Sequence, residues 1–236
     1  MFENEGHCSC CDGPTVFRAE GPWWRDQYLC TKCGSIPRDR ALMYCIERFF
    51  PRWREAALHE TSPVPRGASR RLRLEAPGYV ASQRFPDTPL GTLREGVRCE
   101  DLEALTFGDE SFDLHVSQDV MEHVFEPERA FREIARTLKA GGAHVFTTPL
   151  VNRSDPTERV ARRAADGRVE HLGPPEYHGN PISEEGSLVT TRWGYDITRL
   201  IWTWTGDFTE MLFLDSLDLG IRAELIEVLI TRKPKV

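Results

Sequence analysis

The sequence lacks any hydrophobic run long enough to cross a membrane. A membrane-spanning helix needs about 20 consecutive apolar residues, and none of the chain's 236 residues begins such a run. Residues 1–11 are polar and acidic, without the basic start and short apolar stretch of a secretory signal. We therefore expect no membrane partner and a cytoplasmic location.

Positive charge is also scarce. The chain has 30 lysines and arginines against 37 aspartates and glutamates, which gives a formal net charge of -7 at pH 7. Nucleic-acid binding usually depends on a basic face that releases counterions from phosphates, so a nucleic-acid partner is not expected. Arginine clusters at 66–73 and 159–163 could still form a local basic patch. A small or neutral substrate fits the overall charge better.

The seven cysteines do not form the even, dispersed set of a secreted disulfide framework, so we expect a reducing compartment. Four of them make two pairs, each with two intervening residues, and 18 residues separate the pairs: Cys8, Cys11, Cys30 and Cys33. This spacing is typical of a closed, structural Zn²⁺ site and predicts a zinc module over residues 1–38. Unliganded thiols or a redox pair are the alternatives, and His7 or Cys10 could replace a neighbouring ligand.

A helix is predicted to connect this module to the rest of the chain, over residues 39–53. Pro37 favours a helix start, and Pro51 favours a helix end. The apolar residues between them recur at the spacing of one helical face: Leu42, Cys45, Ile46 and Phe49.

Strand-like and helix-like segments alternate from residue 54 onward. The clearest unit is a strand at 112–117, a helix opened by Pro127 and ended by Gly141 and Gly142, and a strand at 143–147. Such βαβ alternation predicts a doubly wound α/β fold with a mostly parallel sheet. Two further apolar runs, at 208–214 and 225–231, predict an antiparallel hairpin at the sheet edge.

The segment 149–193 is rich in proline and shows little periodicity. A loop this long within a compact domain is usually functional, so we expect a lid or substrate-binding insertion. Tyr177 and His178 lie in it and are candidates to line an acceptor pocket.

Three motifs identify a family resemblance. LTFGDESFDL at 105–114, QDVMEHV at 118–124 and LKAGG at 138–142 together resemble the class I S-adenosylmethionine-dependent methyltransferases. The resemblance is strong over 101–149 and extends by topology over a domain at 54–236. It implies a Rossmann-like sheet of seven strands, with S-adenosylmethionine lying across the carboxyl ends of the first, second and fourth.

The resemblance also implies a set of cofactor-binding positions. Glu60 matches the acidic end of the first strand, Gln83 the ribose-binding position and Asp101 the acceptor for the adenine amino group. The complete set is Glu60, Gly67, Gln83, Asp101, Leu102, Gln118 and Asp119. The loop at 61–67 carries two prolines and a single glycine where the family has several glycines, whose backbone amides approach the ligand. This loop either binds the cofactor differently or does not bind it.

Methyl transfer needs positioning and a route for the acceptor's proton. His123 is the first candidate base because imidazole titrates near neutral pH, and a purely structural role is its alternative. The sequence thus predicts methyl transfer to a small molecule, such as a sugar or secondary metabolite. The alternatives are an inactive methyltransferase-fold scaffold and a zinc-module protein that acts on nucleic acid or another macromolecule. The sequence does not indicate an oligomeric state.

Overall fold

The computed structural model describes residues 1–180 and 183–235. Residues 181 and 182, which belong to the predicted insertion, lie outside the described residues, as does residue 236. Within the described ranges, no helix has the length and apolar character needed to cross a membrane.

The N-terminal unit is a three-stranded antiparallel sheet followed by a long helix. Its elements are β1 (Phe2–Cys8), β2 (Gly13–Ala19), α1 (Trp24–Gln27), β3 (Tyr28–Cys30) and α2 (Pro37–Phe49). The predicted connecting helix is therefore present, but it begins at Pro37 rather than residue 39 and ends at Phe49 rather than residue 53. The Asp39 carboxylate accepts a hydrogen bond from the Ile36 backbone N–H at 3.1 Å and so stabilises the first turn of α2.

The remaining elements follow in chain order. They are β4 (Leu58–Thr61), α3 (Gly67–Glu75), β5 (Tyr79–Gln83), β6 (Leu93–Arg94), β7 (Val97–Cys99), β8 (Phe112–Gln118), α4 (Pro127–Thr137), β9 (Leu138–Thr147), β10 (Glu158–Arg159), β11 (Ala161–Arg163), β12 (Val169–His171), β13 (Tyr177–Asn180), β14 (Ser183–Leu188), β15 (Thr191–Arg192), α5 (Ile197–Thr205), β16 (Phe208–Leu212) and β17 (Val228–Arg232). Two short 3-10 helices span Trp53–Glu55 and Met121–His123.

One large mixed sheet organises the chain after residue 54, in the order β16-β17-β9-β8-β4-β5-β7-β6. The five strands β9, β8, β4, β5 and β7 are parallel to one another. The pairings of β16 with β17, of β17 with β9 and of β6 with β7 are antiparallel. The predicted α/β architecture is confirmed, but the sheet has eight strands rather than seven because the two-residue β6 pairs with β7. The predicted C-terminal hairpin forms, with β17 inside the sheet and only β16 at its edge.

The glycine pair at 141 and 142 does not end a helix, contrary to prediction. Helix α4 already ends at Thr137, and both glycines lie within β9. A Cβ atom on Gly142 would come within 2.9 Å of the Lys139 carbonyl oxygen and 3.0 Å of the Asp113 carbonyl oxygen. Glycine is needed here because the backbones of β8 and β9 approach closely.

The predicted insertion at 149–193 is not an irregular loop. Its described residues form three two-stranded antiparallel sheets, which pair β10 with β15, β11 with β12, and β13 with β14. These strands are two to six residues long, too short to show a clear alternation in the sequence. The Thr190 backbone N–H donates to the Glu122 carbonyl at 2.7 Å, which ties the insertion to the segment after β8.

Apolar side chains cover both faces of the large sheet. Leu42 and Ile46 of α2 and Leu72 of α3 pack on one face, and Phe131 of α4 and Ile201 of α5 pack on the other. Phe17 and Tyr28 of the N-terminal unit belong to the same buried cluster as α2 and α3. The N-terminal unit therefore shares a core with the α/β domain.

Three histidines are buried in a row across β4, β8 and β9, at paired register positions. Each bonds a hydroxyl through Nε2: His59 to Ser82 at 2.7 Å, His115 to Thr61 at 3.1 Å and His144 to Ser117 at 3.0 Å. Burial lowers the pKa of His59 and of His144 to about 3 and lowers the pKa of His115 as well. These imidazoles are therefore neutral parts of the core.

Candidate functional site

The predicted cofactor residues meet at one edge of the sheet. Strands β4, β5, β7 and β8 run parallel, so their carboxyl ends lie side by side. Glu60 and Gln118 lie at the ends of β4 and β8, Gln83 ends β5, and Asp101 follows β7. Ligands of open α/β sheets bind at such an edge.

The backbone is strained at this edge. Ser62, just after β4, has a φ of 54°, and Asp119, just after β8, has a φ of 50°. Non-glycine residues seldom adopt this left-handed region, and positions that do so cluster at functional sites. Since β4 and β8 are neighbours, the two strained positions mark the same part of the edge.

Glu60 faces the protein interior. Its carboxylate accepts hydrogen bonds from the Ser69 hydroxyl at 2.5 Å and the Tyr79 hydroxyl at 2.8 Å. Burial raises the pKa of Glu60 to about 7. Glu60 thus joins the end of β4 to α3 and β5.

Gln118 reaches the same hydroxyl from β8, since its Nε2 donates to Ser69 Oγ at 3.1 Å. Its Oε1 atom is buried and has no hydrogen-bond partner within the described ranges. A buried acceptor without a partner is unfavourable, so this atom is suited to a ligand that donates a hydrogen bond.

The part of the edge formed by β5 and β7 is partly exposed to solvent. Gln83 is half-buried, and Asp101 keeps 30% of its side chain exposed. The Asp101 carboxylate accepts from the Glu103 backbone N–H at 2.9 Å and lies 3.5 Å from Arg84 Nε. Leu102 is buried in the apolar cluster on the α4 side of the sheet.

Asp119 has partners that the sequence did not predict. Its Oδ2 lies 2.6 Å from Arg25 Nη2 and 3.0 Å from Arg38 Nε, and Thr147 donates to its Oδ1 at 3.0 Å. Burial alone would raise the pKa of Asp119, but the two arginines lower it below the ordinary value. Both arginines belong to the N-terminal unit, so this carboxylate fastens that unit to the end of β8 rather than standing free for the cofactor.

Gly67 also contacts the N-terminal unit. It has a φ of 55°, and a Cβ atom here would collide with the Asp39 carboxylate of α2. Arg66 Nε lies 3.3 Å from the same carboxylate. The single glycine of the loop is therefore required by the approach of α2, and no local sequence signal showed this.

The candidate catalytic histidines meet beside this edge. His123 lies in the 3-10 helix after β8, His178 lies in β13, and their ring centroids are 5.2 Å apart. Tyr177 does not join them because successive strand residues face opposite sides, and its side chain is exposed. Glu122, which the sequence analysis passed over, completes the cluster: its Oε1 lies 3.7 Å from His123 Nε2 and from His178 Nδ1. Its position next to His123 was the one available signal.

The four paired cysteines also meet. The Sγ atoms of Cys8, Cys11, Cys30 and Cys33 all lie within 4.8 Å of one another. Two of these separations are 3.7 Å, between Cys8 and Cys33, and 3.9 Å, between Cys11 and Cys30. Cys10 is buried outside the cluster, and His7 Nε2 lies 3.4 Å from Asp12 Oδ1.

Two cavities open elsewhere. One lies between the N-terminal unit and residues 214–224, and the other lies near Trp53 and Gly141. Neither is lined by a predicted cofactor residue. The N-terminal unit, through the Asp119 and Gly67 contacts, packs against part of the predicted cofactor edge.

Residues 76–146 match the family described as a methyltransferase domain. Over 85 residues the chain is 33% identical to the sarcosine/dimethylglycine N-methyltransferase of Halorhodospira halochloris, a match that covers 36% of this chain and 30% of that protein. Over 62 residues it is 35% identical to the ubiquinone biosynthesis O-methyltransferase of Coxiella burnetii, which covers 26% of each protein. The chain thus spans less than a third of the length of either relative.

Solved structures share the fold. An S-adenosylmethionine-dependent methyltransferase from Mesorhizobium loti aligns with a TM-score of 0.53 at 16% identity, over 82% of this chain and 98% of that one. A protein from Pyrococcus horikoshii aligns with a TM-score of 0.50 at 16% identity, over 84% and 90% of the two chains. These similarities confirm the predicted methyltransferase-type α/β fold.

Proposed function

We propose that this protein transfers a methyl group from S-adenosylmethionine to a small-molecule acceptor. The observation that carries this proposal is the convergence of Gln83, Asp101 and Gln118 at one sheet edge, all within the part of the chain that matches methyltransferase domains. The two curated relatives, named for N- and O-methyl transfer, support the reaction class.

Three of the predicted residues at the edge fit the cofactor. The unpartnered Oε1 of Gln118 offers an acceptor, the Gln83 amide can bond ribose hydroxyls, and the Asp101 carboxylate can accept from the adenine amino group. Bound S-adenosylmethionine would supply the activated methyl group on its sulfonium. The prolines of the 61–67 loop leave fewer amide donors for it than a glycine-rich loop has.

His123 is the proposed base on the acceptor side. Its Nδ1 lies 2.9 Å from the Leu188 carbonyl oxygen, so Nδ1 carries the proton and donates it. Its Nε2 is then left with a free lone pair on the side of Glu122 and His178. We further propose that the insertion at 149–193, which delivers His178, forms one wall of the acceptor pocket.

The N-terminal unit is proposed to hold one structural zinc ion. Four sulfurs at Zn–S distances of ~2.3 Å in a tetrahedron lie about 3.8 Å apart, and the observed separations of 3.7 and 3.9 Å agree with this. We further propose a reducing, cytoplasmic location, because the paired spacing of four of the seven cysteines is that of a metal site rather than of a disulfide framework.

Calorimetric titration of the zinc-replete protein with S-adenosylmethionine and S-adenosylhomocysteine tests the proposal. We expect one-to-one binding that is weakened about tenfold by Asp101→Ala, the loss of one charge-assisted hydrogen bond, and unchanged by Asp166→Ala at an exposed turn. A folded protein that binds neither compound would overturn methyl transfer. It would favour the scaffold alternative, for which the arginine-bound Asp119 is the specific observation. Salt-sensitive binding of RNA or DNA would point to a macromolecular substrate instead.

A further inference from the structure

Glu122, His123 and His178 form a second cluster of metal-binding side chains, on a different part of the molecule from the four cysteines. We propose that this cluster binds one divalent transition-metal ion through Glu122 Oε1, His123 Nε2 and His178 Nδ1. The metal binding does not depend on methyl transfer. An ion on Nε2 takes up the lone pair that the metal-free His123 offers as a base, so in the metal-bound protein the ion, and not His123, would activate the acceptor oxygen.

The cluster surrounds a position that an ion would fill. Glu122 Oε1 is buried in a side chain that is only 2% exposed, and it has no hydrogen-bond partner among the residues described. Its distances of 3.7 Å to the two histidine nitrogens are too long for hydrogen bonds. Three ligand atoms held tetrahedrally at ~2.1 Å from one ion lie about 3.4 Å apart. The two separations of 3.7 Å from Glu122 Oε1 are close to this value, and all three ligand atoms lie within 4.8 Å of one another.

Each ligand is already oriented through its other polar atom. The Thr148 hydroxyl donates to Glu122 Oε2 at 3.0 Å, and the Leu188 carbonyl accepts from His123 Nδ1 at 2.9 Å. The Glu176 carboxylate lies 3.4 Å from His178 Nε2. Such outer contacts fix the ring tautomer of metal-binding histidines and leave the inner nitrogen free to coordinate.

Two imidazoles and one carboxylate are a ligand set for Fe²⁺, Mn²⁺, Co²⁺ or Zn²⁺ with open coordination positions. His123 and His178 are both partly exposed, so the open side of the cluster can be reached from solvent. An oxygen of the acceptor, from a hydroxyl or a carboxylate, would bind there. This assignment of the acceptor class, unlike the metal binding, rests on the proposed methyl transfer.

Titration of the zinc-replete full chain with Mn²⁺, followed by electron paramagnetic resonance of the free ion, tests the site. Mn²⁺ prefers oxygen and nitrogen ligands to thiolates, so the cysteine cluster should not respond. We expect one equivalent to bind, with affinity lowered at least tenfold by Glu122→Gln and by His178→Ala. His171→Ala removes an exposed histidine of the same insertion and should leave binding unchanged.

The absence of saturable Mn²⁺ binding, or equal binding by wild type and Glu122→Gln, would overturn the site. Thermal unfolding and zinc content, measured on each variant, identify any that fails to fold. His178 is partly exposed whereas Glu122 is buried, which makes His178→Ala the safer of the two substitutions. S-adenosylmethionine binding is measured on the same samples. Cofactor binding without Mn²⁺ binding rejects only the metal site, and the reverse result rejects only the methyltransferase proposal.

Discussion

The two candidate metal clusters are assembled in different ways. The cysteine cluster comes from 26 consecutive residues, and both of its pairs have the same short spacing. The second cluster joins Glu122 and His123, adjacent in the chain, to His178, which β13 brings from the insertion. Local spacing therefore reveals the first cluster, whereas only the packing of the insertion against the end of β8 creates the second.

Their surroundings indicate different roles. Cys8 and Cys30 are fully buried and belong to the apolar cluster shared by the N-terminal unit and the α/β domain, so a closed structural site fits. His123 and His178 are partly exposed at the rim of the sheet, where a ligand can reach them. The comparison predicts that losing the first site costs stability and that losing the second costs binding.

Removal of the proposed zinc ion should have the largest effect on stability. Zinc-binding free energy in small structural sites is of order 10 kcal/mol, and the N-terminal unit shares a core with the large sheet. We expect Cys30→Ser to abolish zinc binding. It should also lower the midpoint of thermal unfolding by more than the substitutions Glu122→Gln and His178→Ala do. Cys10→Ser is the matched control because Cys10 lies outside the cluster; loss of zinc from that variant would mean that the ligands are wrongly assigned.

Asp119→Asn should have the next largest effect, because it removes the ion-pair partner of the buried Arg25. Arg38 also loses this partner and keeps only the half-exposed Asp26. Breaking one side of a buried ion pair costs about 3–5 kcal/mol, measurable by urea unfolding. Asp26→Asn is the control: Asp26 pairs with Arg38 at 2.6 Å but is 47% exposed, so we expect under ~1 kcal/mol. Equal losses would show that Asp119 does not anchor the N-terminal unit.

Acid should destabilise the protein through the buried histidines His59 and His144 rather than through His178. The pKa of His59 and of His144 is about 3 in the folded chain against 6.5 when unfolded. The unfolded chain therefore takes up more protons as pH falls from 6.5 towards 3, and stability is lost in that window. Between pH 6.5 and 5 each histidine contributes a loss of up to about 2 kcal/mol. Urea unfolding at pH 7 and pH 5 measures this. The Glu122 carboxylate raises the pKa of His178, so protonation of His178 opposes the loss and His178→Ala should lose at least as much stability as the wild type. A smaller loss in that variant would mean that His178, and not the buried histidines, causes the effect.

Gln118→Ala should have the smallest effect, and it should fall on binding. One neutral hydrogen bond contributes ~0.5–1.5 kcal/mol, so we expect affinity for S-adenosylmethionine to fall about twofold to tenfold. Mn²⁺ binding at the Glu122 cluster should not change, because Gln118 contributes no ligand. Calorimetry of both titrations separates the two sites, and unchanged cofactor affinity would remove Gln118 from the predicted cofactor positions.

The sequence predicted the α/β fold because strand and helix patterns are local. The β8-α4-β9 unit has hydrophobic periodicity and a proline at the helix start, so its elements were found within a few residues. The end of α4 was misplaced because a glycine pair was taken as a helix stop, whereas Gly142 of this pair is required by the contact between β8 and β9. Strand β6 was missed because two residues carry no periodic signal.

The site residues also divide into positions that local patterns predict and contacts that only packing creates. Gln83, Asp101 and Gln118 could be aligned at one edge because parallel strands end together. The partners of Asp119 and Gly67 could not be predicted, since Arg25, Arg38 and Asp39 reach them from a unit more than 25 residues away in the chain. Side-chain pairing over such distances depends on how units dock.

The sequence by itself thus determined the cysteine cluster, the alternation of strands and helices, and the edge where a cofactor would lie, because each depends on short spacings and periodicity. The tertiary structure alone decided that the N-terminal arginines hold Asp119, that α2 requires Gly67, and that Glu122, His123 and His178 come together. These contacts arise when apolar faces pack, and packing joins residues whose separation along the chain carries no pattern of its own.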